Sequence, residues 1–150
     1  DKRALFTAAV ELKCDQMRGQ FSIDHETKPA ISDQLTAIGH AMNAFLSRPE
    51  MLQFDRRIAA ETESNPDIGL AFLKAGPWRM RNDFSAFLAH AAEHGQLSIE
   101  DTDLAAEQFV SLCKGIGDLE RRFGKHLSKE RDDKRVASAV RLFLKAYGTI

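Results

Sequence analysis

The stretch "GPWRMRNDFSAFLAHAAEHG" at residues 76–95 contains the signals of one complete helix. Pro77 suits a first helical position, where its missing N–H needs no partner, and the closing glycine suits the residue that follows a last turn. Phe84, Phe87 and Ala91 recur three and four residues apart, which places them on one helical face. The stretch therefore predicts an amphipathic helix that buries aromatic rings.

Proline residues also indicate where helices begin in the rest of the chain. Pro29, Pro49 and Pro66 each stand where a helix is expected to begin. Further helices are predicted from Lys2 to about Gln20, with Leu5 and Leu12 on one face, from Asp101 or Thr102 to about Leu119, and from about Asp132 to Tyr147. No stretch alternates polar and apolar residues at every second position. We therefore predict an all-α fold, a single helical bundle of six to seven helices over residues 1–150.

The overall composition argues against several classes of function. The 150 residues carry 21 basic and 22 acidic side chains, a formal net charge of −1, so the chain lacks the basic character typical of nucleic-acid binding. No apolar run approaches the roughly 20 residues that a membrane-spanning helix needs. Cys14 and Cys113 stand alone, as is usual for reduced thiols. We expect a cytoplasmic protein with no membrane partner.

One short motif is typical of metalloenzymes. His90, Glu93 and His94 spell H-x-x-E-H, in which two imidazoles spaced by four would share a helix face and could bind one zinc ion. A catalytic zinc also needs a third protein ligand, and no acidic partner motif follows downstream. We therefore predict no metal, no cofactor and no enzymatic activity. A metal-dependent hydrolase remains an alternative.

Large, soft side chains are concentrated on the middle helices. Phenylalanine supplies 10 of the 12 aromatic residues, and converging aromatic and methionine side chains with a few polar groups are typical of a small-molecule pocket. The alternative is an ordinary packed core. The predicted ligand-binding residues are Met42, Phe45, Phe54, Arg57, Ile58, Glu61, Trp78, Met80, Phe84 and Phe87.

Apolar stripes at heptad-like spacing run along the last two predicted helices, which begin at Asp101 or Thr102 and at about Asp132. Such stripes could cover one side of the bundle and also face a twofold copy of the chain. We predict a homodimer, with an interface formed by Ala105, Phe109, Leu112, Ile116, Val136, Val140, Phe143 and Tyr147. The alternative is that both stripes face only the internal core.

Several segments, taken in order, resemble one family. The opening "DKRALFTAAV" resembles the start of the helix that follows the helix-turn-helix in TetR-family transcriptional repressors. "RIAAETESNPDIGLAF", "AGPWRM", "HGQL", "DLAAEQFVSLCKG" and "VASAVRLFLKAYG" then resemble successive parts of the C-terminal domain in the AefR-like branch. Asn65 departs from the bulky residue that often precedes the family's proline.

The resemblance implies a regulatory domain of a repressor. It implies a homodimer built on the last two helices and, in each subunit, a cavity for a small apolar or aromatic effector behind the first helix. That helix, Lys2 to about Gln20, would act as the lever to a helix-turn-helix expected upstream of Asp1, through which alone the protein would contact DNA. The alternative is a helical adaptor dimer that stands alone.

Overall fold

A computed structural model describes residues 1–20, 29–126 and 128–149 of the chain. In these residues the secondary structure is helical, apart from one isolated bridge between Leu97 and Gly148. The all-α prediction is confirmed. The eight helices are α1 (Lys2–Gln20), α2 (Ile31–Leu46), α3 (Pro49–Ser64), α4 (Pro66–Ala75), α5 (Pro77–Glu93), α6 (Thr102–Lys114), α7 (Gly117–Arg122) and α8 (Lys129–Tyr147).

The helices begin where local chemistry satisfies or removes free N–H groups. Pro49, Pro66 and Pro77 occupy the first positions of α3, α4 and α5, as predicted. The Asp101 side chain caps α6 by accepting a hydrogen bond from the Leu104 N–H at 3.0 Å. Ser128 caps α8 in the same way, so α8 begins three residues before the predicted Asp132.

Two glycines with positive φ end helices. Gly95 has φ 74° and follows α5, where the Gln96 N–H donates to the Ala91 carbonyl at 2.9 Å. Gly115 has φ 52° and ends α6 at Lys114, whereas a helix through about Leu119 was predicted. The next residues form the separate short helix α7, because a left-handed residue redirects the chain.

Three helices form what we call the packed half of the molecule, namely α2, α6 and α8. Leu35, Phe109 and Val136 have no exposed surface there, and Phe143 is 2% exposed. At Gly39 a methyl group would lie 2.9 Å from Val136 Cγ1, so glycine allows α2 and α8 to approach closely.

The remaining large helices form the cavity half, namely α1, α3, α4 and α5. α4 packs against α1, α3 and α5, and Lys2 at the start of α1 pairs with Glu61 of α3 at 2.8 Å. On α1 the face that carries Leu5 and Leu12 is not the covered one, because Leu5 is 73% and Leu12 61% exposed while Val10 is buried. Helical spacing shows that apolar residues share a face, but the neighbouring helix decides which face is covered.

The two halves are also joined through α7. Arg56 of α3 donates hydrogen bonds from Nη2 to the carbonyl oxygens of Arg122, at 2.7 Å, and of Arg121, at 3.3 Å. The Arg121 guanidinium is itself buried and pairs with Asp118 at 3.1 Å. We call the contact between Arg56 and these two carbonyls the α3–α7 clamp.

Most of the stripe residues predicted for a dimer interface lie inside the subunit. Ala105, Phe109, Val136, Val140 and Phe143 are all buried in the core of a single chain, and Tyr147 is half-buried. Side chains that are already covered offer a second subunit almost no contact area. Only Leu112, at 39%, and Ile116, at 62%, expose a large part of their surface.

No described helix is both long and apolar enough to cross a membrane.

Candidate ligand cavity

A cavity of about 480 Å³ lies between the two halves of the molecule. Its walls come from α1 to α6, and its largest contribution is from the first three turns of α5. A volume of this size falls within the range of small-molecule binding sites.

The walls of this cavity are mainly aromatic rings and methionine side chains. Phe54 and Phe72 meet edge to face with ring centroids 6.2 Å apart. On the opposite side Phe84 lies 5.9 Å from Phe87 and 5.5 Å from Phe109. Rings in these arrangements present flat apolar surfaces to whatever occupies the space between them.

The structure brings seven of the ten predicted ligand-binding residues to the cavity wall. These seven are Met42, Phe45, Phe54, Trp78, Met80, Phe84 and Phe87. Arg57 is exposed and Ile58 is buried, but neither lines the cavity. Glu61 does not reach it either, since its carboxylate accepts a hydrogen bond from Lys2. The two polar groups that were predicted for the pocket therefore lie elsewhere.

One charged residue of the cavity wall that was not predicted is Arg81 of α5. Its Nε atom is buried and has no hydrogen-bond partner in the described part of the chain. Trp78 and Phe84, three residues to either side, also line the cavity. The spacing of residues 78, 81 and 84 on one helical face could have identified Arg81 from the sequence.

Four further charged residues line the cavity, and they differ in exposure. Lys13 of α1 and Lys114 of α6 are half-buried, as Arg81 is, whereas Asp83 and Glu107 are exposed. The basic residues of the wall are therefore more buried than the acidic ones.

The cavity also touches the first helix. Val10, which is 2% exposed, and Lys13 both belong to α1 and both line it. A ligand that fills the end of the cavity lined by Val10 and Lys13 would therefore contact α1.

The H-x-x-E-H motif does not form a metal centre in the described residues. The His90 and His94 rings lie 4.2 Å apart, but His94 Nδ1 is 2.9 Å from the His90 carbonyl oxygen, and both residues are exposed. In that part of the chain no three His, Cys, Asp or Glu side chains are grouped so that they could hold a metal ion. The geometry does not favour the alternative of a metal-dependent hydrolase.

A shallower groove of about 350 Å³ lies on the outer surface of the packed half. Leu112 of α6 and Leu142 of α8 form its apolar part, and Leu142 is 52% exposed. Arg131, Lys134 and Arg135 line the rest together with small side chains. We call this surface the α6–α8 groove.

Comparison with known proteins agrees with this architecture. Residues 33–149 match the family described as AefR-like transcriptional repressor, C-terminal domain. The chain belongs to this branch of the TetR family. The match spans α2 to α8 and thus includes most of the cavity wall. No curated protein sequence matches the chain significantly.

Solved structures of TetR-family regulators have the same fold as this TetR-family chain. The flavonoid-responsive regulator FrrA superposes with a TM-score of 0.85 at 24% identity, over 99% of this chain and 76% of FrrA. A Mesorhizobium loti protein assigned to the TetR-family transcriptional regulators gives 0.84 at 22% identity, covering 99% and 76%. A TetR-family regulator from Pseudomonas syringae gives 0.78 at 22%, covering 100% and 75%.

Proposed function

We propose that this chain is the effector-binding and dimerisation domain of a transcriptional repressor, and that its effector is a small, largely apolar or aromatic molecule. The observation that carries the proposal is the aromatic cavity with α1 in its wall. In this proposal α1 connects the domain to a helix-turn-helix upstream of Asp1, and DNA is contacted only through that segment. No catalytic step and no cofactor are involved.

The contact between α1 and the cavity suggests how an effector would act. A ligand shifts an equilibrium only through its different affinities for the two conformations. If an effector displaces Val10 or Lys13, it binds more tightly to the conformation in which α1 has moved than to the conformation in which α1 packs against the cavity. Coupling of this kind is typically about 1–3 kcal/mol, which corresponds to roughly 5- to 150-fold in operator affinity.

A screen of aromatic compounds tests the effector proposal. FrrA is named as flavonoid-responsive, so flavonoids form the first set, followed by other ring compounds of similar size. A ligand at 100 times its Kd should stabilise the protein by about 2.7 kcal/mol. This corresponds to a rise in Tm of roughly 5–10 °C for a chain of this size.

A cavity-wall variant checks where such a ligand binds. Phe84→Ala should reduce the ligand-induced rise in Tm, whereas Phe123→Ala, at a ring that is 82% exposed and outside the cavity, should leave it unchanged. If no aromatic ligand changes Tm, or if both variants respond like the wild type, the cavity is not the effector site.

We place the proposed dimer interface on the outer faces of α6 and α8, including the α6–α8 groove. Leu104 is 48%, Leu112 39% and Leu142 52% exposed on these faces. A twofold axis brings the same patch of two subunits together, so these leucines would cover their counterparts. Ile116, at the end of α6, extends the exposed apolar surface.

A charge introduced into the groove tests this interface. Leu142→Glu should give a monomer by size-exclusion chromatography with light scattering, because pairing of the two patches would bury a carboxylate on each. The far-ultraviolet spectrum should not change, since Leu142 is exposed within its own subunit. The matched control is Leu70→Glu on α4, at 43% exposure, which should remain dimeric. A monomeric wild type, or a dimeric Leu142→Glu, would place the interface elsewhere.

A further inference from the structure

We propose that the cavity selects ligands that carry an anionic group on an aromatic body, and that Arg81 binds this group. This inference rests on the proposed function, because it concerns the ligand of the same cavity. It adds the chemical class of the ligand and names the residue that determines specificity.

The first reason is the state of the Arg81 side chain. Its Nε atom is buried without a hydrogen-bond partner in the described part of the chain, and Arg81 lines the cavity. A guanidinium stays protonated at any pH that a folded protein tolerates, so the group is always a charged donor. A buried donor without an acceptor is destabilising. A ligand acceptor that bonds to the guanidinium would offset this.

The second reason is the distribution of charge around the cavity. The half-buried charged residues of the wall are the bases Lys13, Arg81 and Lys114, while the acids Asp83 and Glu107 are exposed. Three of the five charged residues in the wall are therefore basic, and these are the more buried ones, which favours an anionic over a cationic group inside the cavity. The two exposed carboxylates are closer to water, which screens them.

The third reason is the placement of the rings relative to Arg81. Trp78 and Phe84 lie about one turn before and after it on α5, and both line the cavity. A ligand whose anionic group reaches Arg81 would therefore have its ring system between aromatic side chains. Charge-assisted hydrogen bonds gain strength in such apolar surroundings.

Two fluorescent compounds with the same ring system provide the test. 8-Anilinonaphthalene-1-sulfonate and N-phenyl-1-naphthylamine differ by one sulfonate, so their affinities separate recognition of the charge from recognition of the rings. Binding is followed by quenching of Trp78, the single tryptophan of the chain and a residue of the cavity wall. The variants are Arg81→Met, Arg81→Lys and, as matched control, Arg79→Met, at an exposed position of α5 outside the cavity.

The expected result is a selective loss of affinity for the sulfonate. Arg81→Met should weaken binding of the sulfonate compound by about ten- to hundredfold and that of the neutral compound by less than twofold. Arg81→Lys keeps the charge and should retain part of the affinity, and Arg79→Met should change neither compound. Circular dichroism and Tm show that each variant is folded.

Two other results would contradict the proposals, and they are distinguishable. If Arg81→Met weakens both compounds equally, or weakens neither, Arg81 does not recognise the anion and the cavity remains an apolar site. If neither compound quenches Trp78 in the wild-type protein, the cavity does not bind aromatic ligands, and the proposed function fails as well. Should Arg81→Met not fold, Arg81→Lys still decides. If Arg81→Lys and Arg79→Met bind the sulfonate compound with equal affinity, and neither variant prefers it to the neutral compound, the anion proposal is overturned.

Discussion

The packed half and the cavity half of the molecule both rely on phenylalanine, but they enclose its rings to different degrees. In the packed half Phe109 has no exposed surface and Phe143 is 2% exposed. In the cavity half Phe54, Phe72, Phe84 and Phe87 are only half-buried and surround empty volume. In the first case Gly39 lets α2 approach Val136 of α8 closely. The difference shows that phenylalanine rings can serve either as closed core or as the wall of a cavity.

The largest expected effect of a single substitution lies in the packed half. Phe143→Ala should lower the free energy of unfolding by about 3–5 kcal/mol, because it removes a ring that contacts Phe109 and Tyr147 at centroid distances of 5.3 and 4.9 Å. Urea-induced unfolding measures the change. In the control Phe123→Ala the free energy of unfolding should stay within about 0.5 kcal/mol of the wild type. A loss under 1 kcal/mol at Phe143 would mean that the packed half is not densely packed.

An intermediate effect is expected in the cavity half. Phe84→Ala should lower the free energy of unfolding by about 1–3 kcal/mol, less than Phe143→Ala, because part of the Phe84 ring faces empty space and has fewer contacts to lose. The same unfolding experiment applies. Equal losses at the two positions would remove the contrast between the halves.

A chemical measurement reports how closed the packed half is. Burial raises the pKa of the Cys113 thiol from 9.0 to about 12. At pH 8 the native thiolate fraction is then about one in 10⁴, so iodoacetamide should label Cys113 about a thousandfold more slowly in the native than in the unfolded protein. Peptide mapping by mass spectrometry separates Cys113 from Cys14, whose side chain lies outside the described residues. Rapid native labelling of Cys113 would indicate that the packed half opens readily.

The same shift predicts how stability depends on pH. The unfolded thiol loses its proton near pH 9 while the folded thiol keeps it up to about pH 12, so the unfolded state binds fewer protons between these values. The stabilisation of the folded state that comes from the Cys113 pKa shift is therefore fully present below pH 9 and is lost as pH rises above that value. Tm measured between pH 8 and 10.5 should fall less steeply for Cys113→Ala than for the wild type.

Much of the fold could be predicted from local chemistry. Pro49, Pro66 and Pro77 open helices and Gly95 closes one because the backbone preferences of these residues do not depend on distant contacts. Gly115 was expected in the interior of a helix through about Leu119, whereas its positive φ ends α6 at Lys114. Glycine is compatible with both roles, so the sequence alone did not distinguish them.

The candidate site could be predicted only in part. Seven of its apolar residues follow from side-chain type and helix position, whereas Arg57 and Glu61 were chosen for a helix whose polar face points away from the cavity. Which side of α3 or α5 faces the cavity depends on how each helix is rotated and shifted relative to its neighbours. The same limit explains why Phe109 and Val136 were assigned to a partner rather than to the subunit's own core.

The α3–α7 clamp has a consequence for how this protein can vary among relatives. Arg56 donates to the carbonyl oxygens of Arg121 and Arg122, and every residue type supplies a carbonyl. Substitutions at the exposed position 122 that preserve the end of the helix therefore keep this contact. Natural variation should then be restricted at position 56 and freer at the exposed position 122.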